Sequence, residues 1–174
     1  SSDMLAAFAA AADARAVPHD EVAGRWPDVA AEVPAGDVVV CHHVAYNVPD
    51  LPAFARALDT HARRRVVVEI TAAHPLTWLG PLWLRVHGQR RPHGPTAELA
   101  AEVLREAGLP VRVERWSRPP RPVTAGVRVA MARRRLCLPY DREPEVARLL
   151  AEVGQPPPQE VVTLWWDATV AEGS

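Results

Sequence analysis

Residues 37–71 read DVVVCHHVAYNVPDLPAFARALDTHARRRVVVEIT. The run DVVVCHH, residues 37–43, is short and almost continuously apolar, the pattern of a strand covered on both faces in a parallel sheet. VPDLPAFARALDTHA then sets Asp50 as an N-cap and Pro52 in a first helical turn. Phe54, Ala57, Leu58 and His61 follow at helical spacing. RRRVVVEIT closes the stretch with a second buried strand at 65–71. Strand, helix and strand with short joints make a βαβ unit, so the two strands are expected to be parallel neighbours with a right-handed crossover.

The flanking sequence extends the same α/β pattern. Upstream, SSDMLAAFAAAADA is an N-capped helix with Met4, Leu5 and Phe8 at helical spacing. A short strand is expected at 17–23, then a turn at Gly24 and a short helix or loop after Pro27. Downstream, Trp78, Leu79, Leu82, Trp83 and Val86 mark an apolar helix over 76–87 broken by Gly80-Pro81. TAELAAEVLREAG is a helix capped by Thr96 and stopped by Gly108, leading into the strand VRVERW. The proline-rich joints SRPPRPV and QPPPQ bracket two further helices, AGVRVAMARRRLCL and EPEVARLLAEVG, and EVVTLWWDATV is a final strand. The pattern predicts roughly five strands and five or six helices in one domain.

Composition narrows the chemistry. All 20 basic residues are arginine, which excludes Schiff-base and P-loop lysine chemistry. A net charge of −1 argues against a nucleic-acid partner, which demands a concentrated positive face. Cys41 and Cys137 form no CxxC pair, which fits a reducing, cytoplasmic setting, and no apolar run is long enough to span a membrane.

Cys41, His42 and His43 invite a metal or nucleophile reading. Adjacent residues on a strand point to opposite faces, so His42 and His43 are not expected to share a metal. Cys41 and His43 would share a face but lack a third and fourth ligand. A Cys-His nucleophile pair stays open beside the plainer reading of a small buried thiol. Topology adds a third reading: ligands of open parallel sheets lie outside the carboxyl ends of the strands, so CHHVAYN should line a crevice. His74, His87 and His93 read as surface or internally satisfied histidines. Trp78 and Trp83, five apart, do not form one helical stripe; they pack in a core or lid, or one of them faces a pocket. The basic run in MARRRLC reads as a solvated helix end, with contact to an anionic substrate as the alternative.

The order of SSDMLAAF, VAGRWPD, residues 37–71, TAELAAEVLREAGLPVRVERW and EVVTLWWD resembles the central and C-terminal parts of class I S-adenosylmethionine-dependent methyltransferases of an actinobacterial type. The likeness covers nearly the whole chain and rests on order and spacing. It implies an α/β, Rossmann-like sheet in the order 3-2-1-4-5-7-6, parallel except for an antiparallel C-terminal strand. Residues 1–174 would run from strand 3 onward, with 118–159 as a helical lid. The cofactor implied is S-adenosyl-L-methionine. Its contacts would be Met4 and Trp26 near the adenine, the turn at Gly24 and Arg25, and Cys41 and His42 at the end of the fourth strand. Arg25 stands where the family commonly has an acid. His42 and His43 would supply a base where the acceptor must lose a proton, and Tyr46, Trp78 and Trp83 would face a small-molecule acceptor. The resemblance identifies neither that acceptor nor the oligomeric state.

No G-x-G occurs in the chain, so the family's glycine loop and its ribose-binding acid are expected upstream of Ser1. The 174 residues are then expected to be a fragment with poor cofactor affinity of its own. Two rivals remain: a non-catalytic binding or interaction module with this fold, and another doubly wound enzyme such as a nucleotide-dependent oxidoreductase. The Trp-rich end strand VVTLWWD argues against the latter.

Overall fold

The computed structural model describes residues 1–119, 122–156 and 158–169. Pro120, Arg121 and Pro157 of the expected lid, and Val170 of the expected last strand, lie outside the described residues. The βαβ unit forms as its sequence predicts. Strand β1 (Gly36–His42) leads into α2 (Leu51–Thr60) and then β2 (Ala62–Thr71). The Asp50 side chain accepts from Ala53 N at 3.0 Å, capping α2. β1 and β2 run parallel, with Val40 opposite Val67 and His42 opposite Glu69.

Two more strands complete a mixed sheet in the order β1-β2-β4-β3. β3 spans Arg112–Arg118 and β4 spans Gln159–Asp167. β4 lies between β2 and β3 and is antiparallel to both, with Leu164 opposite Val68 on one side and Val113 on the other. One face of this sheet makes the main core. Val66, Val68, Ile70, Val162, Leu164 and Trp166 pack there with Phe54, Ala55 and Leu58 of α2, and with Ala97, Ala100, Ala101 and Leu104 of α4 (Ala97–Glu106). Trp166 is fully buried, and its Nε1–H donates to Asp59 Oδ1 at 2.8 Å. Thr169 donates to the same carboxylate from both its backbone N and its hydroxyl, so the buried Asp59 ties α2 to β4 and to the chain beyond it.

A second, helical core stands beside the sheet. It joins Leu79 and Leu82 to Ala132 of α5 (Ala125–Arg135), to Leu136 just after it, and to Val146, Leu149 and Leu150 of α6 (Glu143–Val153). Gly80-Pro81 begins α3 (Gly80–His87) rather than breaking a longer helix: the preceding residues form a 3-10 turn, Thr77–Leu79. Proline suits that place because a first-turn N–H has no partner within the helix. Helix α1 (Ser2–Asp13) forms with Ser1 as its cap, but Met4 and Phe8 are 74% and 54% exposed. Among the described residues, no helix is long and apolar enough to cross a membrane.

Two expectations are corrected. Residues 17–23 form no strand. Pro18 removes a ladder donor, and the segment pairs with no strand among the described residues. β1 itself is covered on one face only: Cys41 turns to the core while Val38 and Val40 are 51% and 62% exposed. Its apolar run comes from β-branched residues in an edge strand, not from burial on both sides.

Removing the Asp59 carboxylate leaves the Trp166 indole N–H and the Thr169 donors without their acceptor. Asp59→Ala is expected to lower stability by about 2–3 kcal/mol, and Asp59→Asn, which keeps an acceptor for Trp166, by less. Urea unfolding followed by tryptophan fluorescence measures both.

Candidate functional site

Two concavities open near the carboxyl ends of β1 and β2. The larger, about 740 Å³, runs along β1 and is lined by Arg25, Trp26, Cys41, His42, Asp50 and Phe54 among others. Four of the residues expected to hold a cofactor, Arg25, Trp26, Cys41 and His42, therefore share one groove. Trp26 stands edge-on to His61, with ring centroids 4.8 Å apart at 82°. His61 in turn reaches Ala30 O at 2.8 Å and Ala57 O at 2.9 Å, fastening the loop that carries Trp26 to the end of α2. The Trp26 Nε1–H is buried and has no hydrogen-bond partner among the described residues.

Gly24 and Met4 do not line this groove. A Cβ at Gly24 would fall 2.0 Å from Val29 Cγ1, so the glycine is needed for packing of the loop on itself. Met4 lies on the exposed side of α1.

Cys41 is buried, and removal from water pushes its thiol up to about 11, offset in part by a backbone hydrogen bond from Val44. A thiol so placed is a core residue, not a nucleophile at neutral pH. Among the described residues, no group of three His, Cys, Asp or Glu side chains is placed to hold a metal ion.

The two histidines do not divide between the faces of the strand as simple alternation would have them. His42 ends β1, and His43 adopts a left-handed backbone at φ 57°. Its ring thereby reaches Glu69, the register partner of His42. His43 Nε2 lies 3.2 Å from Glu69 Oε1 and 3.0 Å from Arg118 Nη2. Arg118 can donate to that nitrogen only while it is bare; a proton on Nε2 is received by Glu69 instead. His43, Glu69 and Arg118 thus form a polar cluster at the carboxyl ends of β1, β2 and β3. Glu69 and Arg118 carry no local motif, although a lone acid inside VVVEIT is a sign of something other than core.

The smaller cavity, about 180 Å³, is built from the loop after β2 and the connection from α3 to α4. His74, Leu76, Thr77, Gly80, Arg91 and His93 are among its walls. Tyr46, half-buried in the loop after β1, meets His74 edge-on at 5.4 Å, and burial raises its phenol above the usual range. Leu76 N donates to His74 Nδ1 at 3.2 Å. The ring is held below its ordinary pKa by burial first, then by the positive charges of Arg91 and Arg135. Arg91 stacks over Trp83 at 4.4 Å.

Of the tryptophans expected to face an acceptor, Trp83 therefore supports the wall of this cavity from behind, while Trp78 packs against the helical core. His87 is satisfied internally, its Nε2 lying 2.9 Å from Leu136 O. Within the basic run, Arg133 is held by Glu143 at 3.0 Å and by Leu138 O at 2.8 Å. The charge of Arg135 reaches His74.

Compared with known proteins, the chain matches no family model and no curated protein.

The two cysteines are expected to differ sharply in reactivity. Cys137 is exposed, whereas at pH 8 a thiol with a pKa of about 11 is roughly one-thousandth thiolate and Cys41 is shut off from reagent besides. Iodoacetamide followed by peptide mass spectrometry should label Cys137 in the native protein and Cys41 only after denaturation.

Proposed function

We propose that this protein transfers a methyl group from S-adenosylmethionine to a small-molecule acceptor at the carboxyl ends of β1 and β2. The observation that carries the reading is the sheet. Its order β1-β2-β4-β3, with β4 antiparallel to both neighbours, is the succession 4-5-7-6 that the resemblance implies for this half of a methyltransferase sheet. The groove beside β1 supports it further, being of the size that takes a nucleoside-bearing ligand.

The residues present fit that group. The buried, unpartnered Trp26 Nε1–H is a donor awaiting an acceptor, and the apolar side chains of Phe54, Leu58 and Val48 share the groove with it. Trp26 and Arg25 would hold the adenine end; Cys41 and His42 would line the groove toward the methionine end. Bound there, the cofactor supplies a methyl group on a positively charged sulfur.

The protein's own contribution is positioning and proton handling. An apolar groove excludes water, which strengthens every electrostatic contact inside it. Where the acceptor loses a proton, His43 Nε2 takes it, and Glu69 Oε1 at 3.2 Å steadies the resulting imidazolium. Arg118, 3.0 Å from the same nitrogen, keeps Nε2 bare until then. His42, exposed on the groove, is placed to contact the ligand rather than to hold a proton against a carboxylate.

A non-catalytic binding module is the second reading, favoured by the exposure of Val38 and Val40 on the open face of the sheet. Titration calorimetry with S-adenosylhomocysteine on the full-length protein separates the two. Saturable heat that Trp26→Ala weakens at least tenfold supports the methyltransferase; no heat at millimolar ligand overturns it and leaves the binding module. His43→Ala should leave that affinity in place while lowering turnover about 100-fold or more for an acceptor that must be deprotonated.

A further inference from the structure

The smaller cavity holds an arrangement that the transfer reaction does not use. Arg91 lines it with no acidic partner among the described residues, whereas Arg65, Arg85, Arg115, Arg133 and Arg142 each pair with a carboxylate. Its guanidinium is fixed by stacking on Trp83 at 4.4 Å. Arg91 Nη1 and Thr77 Oγ1 are both cut off from solvent and hydrogen-bond to nothing among the described residues. Buried donors left in that state are destabilising, and the cost is removed when something accepts from them.

His74 adds a third donor. Its Nδ1 is already occupied by Leu76 N at 3.2 Å, so the neutral ring carries its proton on Nε2. The positive charges of Arg91 and Arg135 help to keep the ring neutral. No acidic side chain lines the cavity, and Leu76 and Pro92 supply apolar wall. Three kinds of donor with no acid among them ask for an oxyanion. The wall holds one guanidinium and one hydroxyl beside the imidazoles of His74 and His93, and a single permanent positive charge matches a single negative charge better than the double charge of a phosphate. The volume, about 180 Å³, holds a carboxylate and a small ring or short chain.

The geometry points to this cavity as a carboxylate-binding subsite, with Arg91 and Thr77 as its anchors, that seats a small carboxylic acid with an apolar body. That the acid is the methyl acceptor rests on the methyltransferase reading; that it binds here does not. Tyr46 connects the two places. Its ring meets His74 at 5.4 Å, and it stands three residues beyond His43 on the loop that leaves β1.

Sodium benzoate is the probe, and benzamide, of the same shape without the charge, is its control. Calorimetry on the full-length protein should show saturable benzoate binding, with benzamide at least tenfold weaker. Arg91→Gln should weaken benzoate at least tenfold and bring it level with benzamide, and Thr77→Val should weaken it severalfold. Circular dichroism melting of each variant checks that the fold is retained, and Arg91→Lys, which keeps the charge but loses the fork, should recover part of the affinity. Equal affinity for benzoate and benzamide, no benzoate binding, or undiminished binding by a folded Arg91→Gln protein overturns the subsite. Inorganic phosphate binding more tightly than benzoate overturns its assignment to a carboxylate. The S-adenosylhomocysteine titration is independent of these results: benzoate binding with no heat from that ligand keeps the subsite and removes the methyltransferase, and the reverse result does the opposite.

Discussion

Trp166 has no exposure to solvent, and its indole N–H is met by Asp59 at 2.8 Å. An indole on a strand with neighbours on both sides cannot turn to find another acceptor, and a buried carboxylate cannot be left without donors. Each group therefore fixes the other. Because Asp59 sits near the end of α2, the contact sets where that helix lies on the sheet, and through His61 it also sets the loop that carries Trp26. The position of the groove along β1 is thus a consequence of one hydrogen bond in the core.

Arginine is the only long cation in the chain, and the structure uses its flat, five-donor head in ways an ammonium group could not serve as well. Arg65 and Arg112 approach the ring of Trp165 at 4.3 and 4.7 Å, and Arg65 also donates twice to Asp167. Arg115 spans Glu98 and Glu160, joining α4 to the sheet. These are exposed pairs of small individual worth. Arg91 is stacked as well, but it lines a cavity, and its buried Nη1 has no hydrogen-bond partner among the described residues.

How far the fold was legible in the sequence depends on whether the signal was local. Asp50, Pro52 and the spacing of Phe54, Leu58 and His61 define α2 without reference to anything else, and the same holds for Thr96 and Gly108 around α4. The valines of β1 say strand, but which faces are covered depends on helices elsewhere, and so Val38 and Val40 were misjudged. Residues 17–23 have two valines, yet a strand exists only where a neighbour accepts its hydrogen bonds. At the candidate site, topology alone puts CHHVAYN beside a crevice, and Cys41, His42, Val44 and Asn47 line a groove. The left-handed turn at His43, which brings its ring to Glu69, has no local signature, since few residues other than glycine adopt it and nothing beside His43 demands it. Thr77 and Arg91 are brought together by the packing of α3 and carry no shared pattern. Gly24 reads as a turn glycine, and what its lack of a side chain admits, the close approach of Val29, has no local signature.

The sheet order has a consequence for how the chain is assembled. β2 and β3 are not neighbours; the strand that joins them, β4, comes after both in the sequence and after the whole of α5 and α6. During synthesis β1, α2 and β2 can pair as soon as they emerge, but β3 has nowhere to dock until β4 is made. The pairing of Arg65 with Asp167 closes a loop of about a hundred residues, and such distant contacts form slowly because chain entropy is lost before they are gained. The last strand is therefore the keystone of the sheet in time as well as in space, and the domain cannot close until β4 has been made.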